Sequence, residues 1–287
     1  MAIIYNENSQ LTARELVHPR EYEHQATYRG YLFGSFRLFR GEQPIGDLMQ
    51  RRNKARMILK WFLLNPGKLG SADEFIDLFW PEISPEKTLG NFHVTMHCLR
   101  HMLEPTLNAR QESAFIRRKP NNFYWFQTDE SWWTDTSDVE MLLERARAYD
   151  VQGDNLRASY YYRKVASYCS QGFLPEDESE DWLIPYRHRY KQIYSQVLMR
   201  LMQLHTQSNE SEEVLEYAYQ MLLIDPYNEV ATRVIVDAHL QQGNISLAQR
   251  RLDIFWSALQ RDLGLRPNKE FYLLRERIHA ANAATVL

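Results

Sequence analysis

An internal repeat in the second half of the chain is the feature that most restricts the possible folds. The segments 209–216 and 243–250 begin 34 residues apart and place a small or compact residue at the same position. A third copy, 153–160, begins 56 residues before segment 209–216, and an insertion containing residues 172–185 accounts for the excess. Because the surrounding sequence has a helical pattern, this period predicts stacked pairs of antiparallel helices joined by the three segments as turns.

Single residues within the repeat agree with this interpretation. The compact residues Ala158, Val214 and Ala248 stand where the two helices of each pair should approach each other. Asp225 and Pro226 supply a break between consecutive pairs, because proline cannot continue a helix. A helical period of 34 residues is typical of tetratricopeptide repeats, and an unrelated helical bundle is the alternative.

The distribution of charge divides the chain into regions. Over 287 residues, 34 Lys and Arg against 37 Asp and Glu give a net charge of -3. The net charge is -2 in residues 1–28, +6 in residues 29–128 and -7 in residues 129–287. A basic region joined to an acidic one favours a nucleic-acid-binding half, although a charge of +6 over 100 residues also occurs in proteins that bind nothing anionic. We therefore expect a flexible leader over 1–28, a basic domain over 29–128 and an acidic helical domain over 129–287.

Cysteine content and hydropathy limit the compartment. The two cysteines, Cys98 and Cys169, are too few for a disulfide framework and are typical of a reducing compartment. No stretch approaches the roughly 18 apolar residues of a membrane span, and residues 1–28 lack the apolar run of a signal peptide. We expect a cytoplasmic protein with no membrane partner.

The basic region should contain a strand, three helices and a hairpin. Ser71 and Glu74 have the spacing of a capping box, and Pro85 suits the first position of a helix. Pro120 and the two asparagines after it separate two apolar runs, as the turn of a hairpin does. The predicted segments are a strand at 31–40, helices at about 51–64, 71–80 and 85–104, and a hairpin at 114–126.

The third of these helices has two distinct faces. Apolar residues spaced three and four apart form a stripe that should face the core, namely Leu89, Phe92, Met96, Leu99 and Leu103. The opposite face is slim and polar, with His97 on its flank, and it carries Lys87, Gly90, Asn91, Val94, Cys98 and His101. This face should lie at the surface and has little net charge.

Residues 31–126 resemble the OmpR/PhoB-type winged helix, and LFGSFRLFRG at 32–41 is similar to the opening of SARP-type antibiotic-regulatory activators. The run FHVTMHCLR at 92–100 fits the family pattern around the recognition helix. The sequence departs from that pattern at Cys98, where a basic residue is usual, and at His97, where Ser or Arg is frequent. These departures concern the target sequence more than DNA binding itself.

The second half resembles the bacterial transcriptional activator domain, which follows such a winged helix in SARP-type regulators. The resemblance rests on GFL at 172–174 followed by Trp182, on LQRDLGLRP at 259–267 and on LRERI at 274–278. It implies a mainly α fold with a small β part, in which an N-terminal α+β winged helix-turn-helix precedes an all-α tetratricopeptide-like domain. It also implies an activator that binds direct repeats in double-stranded DNA as a homo-oligomer and contacts RNA polymerase.

The resemblance assigns the helix at about 85–103 to the major groove and the hairpin to the minor groove or phosphates. A helix of this length reaches base edges in a groove about 12 Å wide. The expected base contacts are Lys87, Asn91, Val94 and His97. Cations around the helix should bind phosphates and fix the register of the protein on DNA. These are Arg51, Arg52, Lys54, Arg56, Arg100, Arg117, Arg118 and Lys119.

Two alternatives remain open. His93, His97 and His101, with Cys98 beside them, form a ridge on which a metal-sensing or redox-sensing regulator could bind zinc or copper. One helix offers at most two or three ligands, so neither a metal nor a cofactor is expected. The departure at Cys98 favours the other alternative, an interaction scaffold whose winged helix no longer binds DNA. No titratable cluster has the spacing of a catalytic site, so no enzyme is expected.

Overall fold

The computed structural model describes residues 23–45, 53–81, 85–108, 111–208 and 210–285. The chain divides into two compact units. The first contains residues 1–141 together with 171–183, and the second contains residues 142–170 together with 184–287. No helix of the described residues is both long and apolar enough to cross a lipid bilayer.

The first unit begins with a mixed four-stranded sheet. Its strands are β1 (Tyr28–Tyr31), β2 (Arg37–Arg40), β3 (Gln43–Pro44) and β7 (Trp132–Thr134). They lie in the order β3-β2-β1-β7, with β1 antiparallel to β2 and parallel to β7. The strand β7 was not predicted from the sequence. It returns the chain to the first sheet after the hairpin, so the ends of the basic region lie side by side.

The single strand predicted across residues 31–40 is wrong, because the chain leaves the sheet after Tyr31. The backbone N–H groups of Leu32 and Phe33 donate to the carboxylate of Asp135, with N···O distances of 2.7 and 2.8 Å to Oδ2. Gly34 has a φ of 70°, a left-handed conformation that suits glycine. A side chain more than 100 residues away thus takes the hydrogen bonds that a continuous strand would use.

Three helices follow: α1 (Asn53–Leu64), α2 (Ala72–Phe79) and α3 (Pro85–Leu103). The predicted capping box is confirmed at the start of α2. Ser71 Oγ accepts from the Glu74 N–H at 3.1 Å, and the Ser71 N–H donates to Glu74 Oε2 at 2.7 Å. This pair satisfies two backbone donors near the N-terminus of α2 and fixes where the helix begins.

The predicted hairpin is also confirmed. Its strands are β5 (Ile116–Lys119) and β6 (Phe123–Phe126), and β6 also pairs with β4 (Gly70–Ser71) in the order β4-β6-β5. In the turn, Asn121 and Asn122 have φ angles of 62° and 57°. Asparagine tolerates this left-handed conformation better than most residues, which explains the turn sequence.

The apolar stripe of α3 is confirmed except at its first residue. Phe92, Met96, Leu99 and Leu103 are all buried in the core, whereas Leu89 is 39% exposed. Phe92 packs against three aromatic rings outside α3, with ring centroids 5.9 Å from Phe75, 6.4 Å from Trp80 and 5.3 Å from Tyr124. These contacts fix the rotation of α3 about its axis.

Residues 171–183, called the strap below, are the part of the first unit that the chain adds after residue 170. The Leu174 N–H donates to the Leu32 carbonyl at 3.0 Å, and Phe173 forms β-bridges with Phe33 and Gly34. Leu174 itself is fully buried. The Trp182 ring meets the Phe79 ring edge to face, with centroids 5.7 Å apart. The strap therefore extends along the loop after β1 and reaches α2.

A buried ion pair anchors the strap. Lys60 of α1 is 0% exposed and pairs with Asp177, which is also buried, and its Nζ lies 3.3 Å from Glu176 Oε1. The Phe36 N–H donates to Glu176 Oε1 at 2.7 Å, and Arg56 lies 3.6 Å from Asp177. Burial alone would raise the pKa of the Glu176 carboxyl, but backbone N–H groups, including that of Phe36, and the Lys60 ammonium hold it below its usual value. A buried lysine requires such partners, because burying an unpaired charge is costly.

The rest of the chain consists of helices joined by short turns. Three turns between paired helices contain the same backbone hydrogen bond, from residue i to the carbonyl of residue i−5, as in a Schellman cap. The bonds are Asp154 N to Tyr149 O at 3.0 Å, Glu210 N to His205 O at 3.0 Å and Asn244 N to His239 O at 2.8 Å. The helices are α4 (Asp135–Val151), α5 (Asn155–Cys169), α6 (Ile184–Gln207), α7 (Ser211–Ile224), α8 (Glu229–Gln241), α9 (Ile245–Ala258) and α10 (Lys269–Thr285).

The three turns coincide with the three repeated segments of the sequence. Ala158, Val214 and Ala248 are buried, as expected for positions where paired helices approach. A core formed by α8, α9 and α10 includes Phe255 and Phe271, whose rings stack 4.5 Å apart. The predicted fold class, a small α+β part followed by a helical-repeat domain, is confirmed.

Asp135 should make stability depend on pH. Burial raises the pKa of this carboxyl from 3.8 to about 7, although three backbone N–H groups favour its charged form. The folded chain then holds this proton more tightly than the unfolded chain, so the contribution of Asp135 to stability falls as pH rises from about 4 to about 7. Denaturant titrations at several pH values should show that wild type loses stability relative to Asp135→Asn across this interval. Parallel profiles would contradict the assignment.

Candidate nucleic-acid interface

The exposed face of α3 comprises Asn91, Val94 and His97, three of the four residues predicted to contact bases. Val94 is 63% exposed, and Asn91 and His97 are exposed as well. The Asn91 carbonyl accepts a hydrogen bond from Thr95 Oγ1 at 2.7 Å, while its side-chain amide has no partner among the described residues. The backbone of Lys87 lies in α3, but its side chain lies outside the described part of the chain.

The composition of this face suits contact with base edges. An asparagine amide both donates and accepts, so it can pair with adenine, and a valine methyl can contact the thymine methyl. Burying the exposed Val94 side chain against a thymine methyl would remove apolar surface from water, which is favourable. The face is aimed outward by the packing of Phe92 on the opposite side of the helix.

The hairpin places cations beside α3. Arg118 and Lys119 are exposed at the end of β5, and Arg117 is half-buried with its Nη1 donating to the Ser113 carbonyl at 3.3 Å. Arg118 donates to Asn122 Oδ1. Arg117 also lies 3.8 Å from Glu112, a carboxylate that is mostly exposed. The charges of Arg118 and Lys119 are therefore the ones most available to an external anion.

Aromatic residues of β6 support these cations, a role that sequence analysis missed. The Arg118 guanidinium lies 5.8 Å from the Tyr124 ring centroid, and Lys119 Nζ lies 5.3 Å from the Trp125 centroid. Such cation–π contacts orient a charge without neutralising it. The sequence does contain a signal for this role, the aromatic run FYWF in the second strand of the predicted hairpin. In the hairpin Arg118 of β5 pairs with Tyr124 of that run.

A cleft of about 330 Å³ lies between α3 and the hairpin, and its lining includes four cations and one carboxylate, namely Arg100, Arg117, Arg118, Lys119 and Glu112. Arg100 donates to the Ile116 carbonyl at 3.1 Å, while its buried Nε has no hydrogen-bond partner in the described residues. Burial lowers the pKa of Arg100, which means that its surroundings disfavour the charged form. An anion at the mouth of this cleft would offset that cost.

The predicted phosphate contacts near α1 occupy different environments. Arg51 and Arg52 lie outside the described residues. Lys54 is exposed, with its Nζ 5.9 Å from the Trp80 ring centroid. Arg56 is turned toward the strap, where it pairs with Asp177. Lys54 is therefore better placed than Arg56 to bind an external phosphate.

The histidines of α3 do not form a closed metal site. Among the described residues, no three His, Cys, Asp or Glu side chains lie close enough together to hold an ion. His97 and His101 contact each other, with ring centroids 4.2 Å apart, whereas His93 lies one turn earlier. Cys98 is half-buried and is a free thiol.

The helical part contains a hydrogen-bonded chain that resembles a catalytic arrangement. Ser159 Oγ lies 3.0 Å from His205 Nε2, and His205 Nδ1 pairs with Glu210. Ser159 and His205 are 6% and 5% exposed, so a substrate carbonyl has no access to the hydroxyl. These hydrogen bonds link α5, α6 and the start of α7, and they satisfy polar groups in the core.

Comparison with protein families assigns the helical part of the chain. The bacterial transcriptional activator domain matches residues 134–279, slightly more than half of the sequence. The chain belongs to this family. It is a transcriptional regulator of the SARP type, as the sequence resemblance predicted, and this family is not a class of enzymes.

A solved structure agrees in fold. The chain is similar to Mycobacterium tuberculosis EmbR in complex with a low-affinity phosphopeptide, with 16% sequence identity and a TM-score of 0.69. The match covers 88% of this chain and 65% of EmbR, so the chain spans about two thirds of that protein's length. At this identity the likeness concerns the fold alone. No curated protein matches the sequence.

Proposed function

We propose that this regulator binds double-stranded DNA by placing the exposed face of α3 in the major groove and the hairpin against the flanking phosphates. The observation that carries the proposal is the position of Asn91, Val94 and His97. They share one solvent-exposed face of a helix whose other face is locked into the core. Groups on such a face can approach base edges without any rearrangement of the protein.

The cations around α3 supply the nonspecific part of the binding energy. Arg118 and Lys119 carry largely unneutralised charge at the hairpin, and Lys54 lies exposed near the N-terminus of α1. Phosphate contacts of this kind fix the orientation of a protein on DNA but do not select a sequence. Selection then depends on the exposed face of α3.

Family membership supports, as part of the same proposal, the finer features of the function. The regulator binds direct repeats upstream of promoters in the cytoplasm, two or more copies side by side, and activates transcription by contacting RNA polymerase. The acidic helical-repeat domain, with a net charge of -7 over residues 129–287, would be the interaction module. The proposed domains are the DNA-binding domain over residues 29–128 and the activator domain over residues 129–287.

Selection from random DNA tests the proposal. The full chain is incubated with a pool of random double-stranded DNA, and bound molecules are amplified and sequenced over several rounds. We expect one enriched motif, present twice in the same orientation. Enrichment without any shared motif would contradict sequence-specific binding and would favour the interaction scaffold.

Replacing Asn91 by alanine should change specificity at a single base position. Among the described residues the amide has no hydrogen-bond partner, so it can form two hydrogen bonds with a base, and such a pair contributes about 1–3 kcal/mol of discrimination. With Asn91→Ala, selection should return the same motif with one position relaxed. Val94→Ala is the matched control, because it should weaken preference only where a thymine methyl is contacted. An unchanged motif in both variants would show that Asn91 and Val94 do not contact the bases.

A further inference from the structure

His97 and His101 form a pair of imidazoles one helical turn apart on α3. Their ring centroids are 4.2 Å apart and the ring planes are inclined by 46°. His97 is exposed and His101 is partly exposed, so solvent reaches both rings. Histidines at i and i+4 on one helix face can direct their nitrogens toward a common ion, as in zinc-binding helices.

Backbone geometry prepares His101 to act as a ligand. Its Nδ1 lies 3.0 Å from the His97 carbonyl oxygen. A carbonyl oxygen can only accept a hydrogen bond, so the neutral ring carries its proton on Nδ1 and leaves the lone pair of Nε2 free. Metal-bound histidines commonly donate their second N–H to a backbone carbonyl, which orients the ring and increases its basicity.

His97 completes the pair because its ring nitrogens have no hydrogen-bond partner in the described part of the chain. A neutral imidazole in this state offers an uncommitted lone pair toward its neighbour. Imidazole nitrogen is a preferred ligand of zinc, copper and nickel, whereas calcium and magnesium prefer oxygen. The chemistry of the pair therefore selects late first-row divalent ions.

We propose that His97 and His101 bind one divalent ion of the zinc and copper class. The chain supplies two ligands, in agreement with the lack of any cluster of three among the described residues. Water fills the remaining positions of the coordination shell. Binding requires neutral imidazoles, so protonation of either histidine opposes it.

The site would also control DNA binding, a consequence that rests on the proposed function. His97 belongs to the exposed face of α3, which we place in the major groove. A hydrated ion held by His97 and His101 occupies that face and withdraws His97 from base contact. Zinc and DNA should therefore compete for the protein.

Calorimetric titration of the untagged full chain with zinc chloride near neutral pH tests the site without DNA. We expect saturable binding of one ion, lost in His97→Ala and in His101→Ala. His93→Ala, one turn earlier on α3, and His188→Ala, an exposed histidine on α6, should retain it. Circular dichroism checks that each variant stays folded. Binding that survives both His97→Ala and His101→Ala would overturn the proposal, as would equal loss in His188→Ala.

Copper provides an independent spectroscopic measurement. Electron paramagnetic resonance of the copper-loaded chain should show coupling to two nitrogen ligands in wild type and to fewer in His101→Ala. A spectrum that is the same in wild type and His101→Ala would exclude this residue as a ligand. Cys98→Ser should leave the spectrum unchanged, whereas loss of the signal in that variant would move the site to the thiol.

DNA competition separates the two proposals. Zinc should weaken DNA binding by wild type and have no effect on His101→Ala, which lacks the site but keeps the proposed base contacts. If wild type binds no DNA even without zinc, the proposed function fails while calorimetry still decides the metal site. If zinc binds to His97 and His101 but leaves DNA affinity unchanged, the metal site stands and the proposed competition between zinc and DNA is excluded.

Discussion

Lys60→Met should destabilise the protein by about 3 kcal/mol, because removing one partner of a buried ion pair takes away the main compensation of the other buried charge. Methionine matches the length of the lysine stem, so the change removes the charge with little loss of packing. Asp177 would keep its interaction with Arg56, which is longer at 3.6 Å. The measurement is the free energy of unfolding from denaturant titration.

Two further variants isolate the ion pair. Lys60→Met combined with Asp177→Asn should recover part of the loss, because neither charge then remains buried. Glu112→Gln breaks an ion pair of the same unit that is mostly exposed, and should change stability by less than about 1 kcal/mol. A Lys60→Met variant no less stable than Glu112→Gln would show that the strap is not anchored by this pair.

Replacing Arg118 and Lys119 by alanine should weaken binding to every DNA sequence by a similar factor. A plot of log affinity against log salt concentration has a negative slope, and each lost phosphate contact makes this slope less steep by about 1. The double variant should therefore reduce the slope by about 2 and leave the preferred motif unchanged. Fluorescence anisotropy over a range of salt concentrations measures both quantities.

Arg266→Ala combined with Lys269→Ala is the matched control for the hairpin variant. Both residues are exposed, and the double change removes the same total charge from the second unit. If this control reduced the salt slope as much as the hairpin variant, the effect would reflect net charge and not contact with phosphate.

Features that depend on neighbouring residues could be predicted from the sequence. The capping box of Ser71 and Glu74, the asparagine turn of the hairpin and the three repeated turns each depend on residues close together in the chain. The buried stripe of α3 follows from helical periodicity in the same way. Leu89 fails this pattern because periodicity gives the side of the helix but not how far along it the core extends.

Features that depend on distant residues could not be predicted. The carboxylate of Asp135 ends β1 from 103 positions away, and Asp177 reaches Lys60 across 117 positions. Local pattern contains no signal for either contact. In the candidate site, the exposure of Asn91 and Val94 followed from periodicity. The engagement of Arg56 by the strap and the partial burial of Arg100 required the tertiary structure.

The salt dependence of binding to a selected DNA duplex tests the central claim most directly. Affinity of the full chain is measured by anisotropy between about 50 and 200 mM salt, on the selected duplex and on a scrambled one. Six to ten phosphate contacts predict a loss of roughly 10³- to 10⁵-fold over this range, with the selected duplex bound more tightly throughout. Weak binding that is insensitive to salt and equal for both duplexes would contradict sequence-specific DNA binding through α3 and the hairpin.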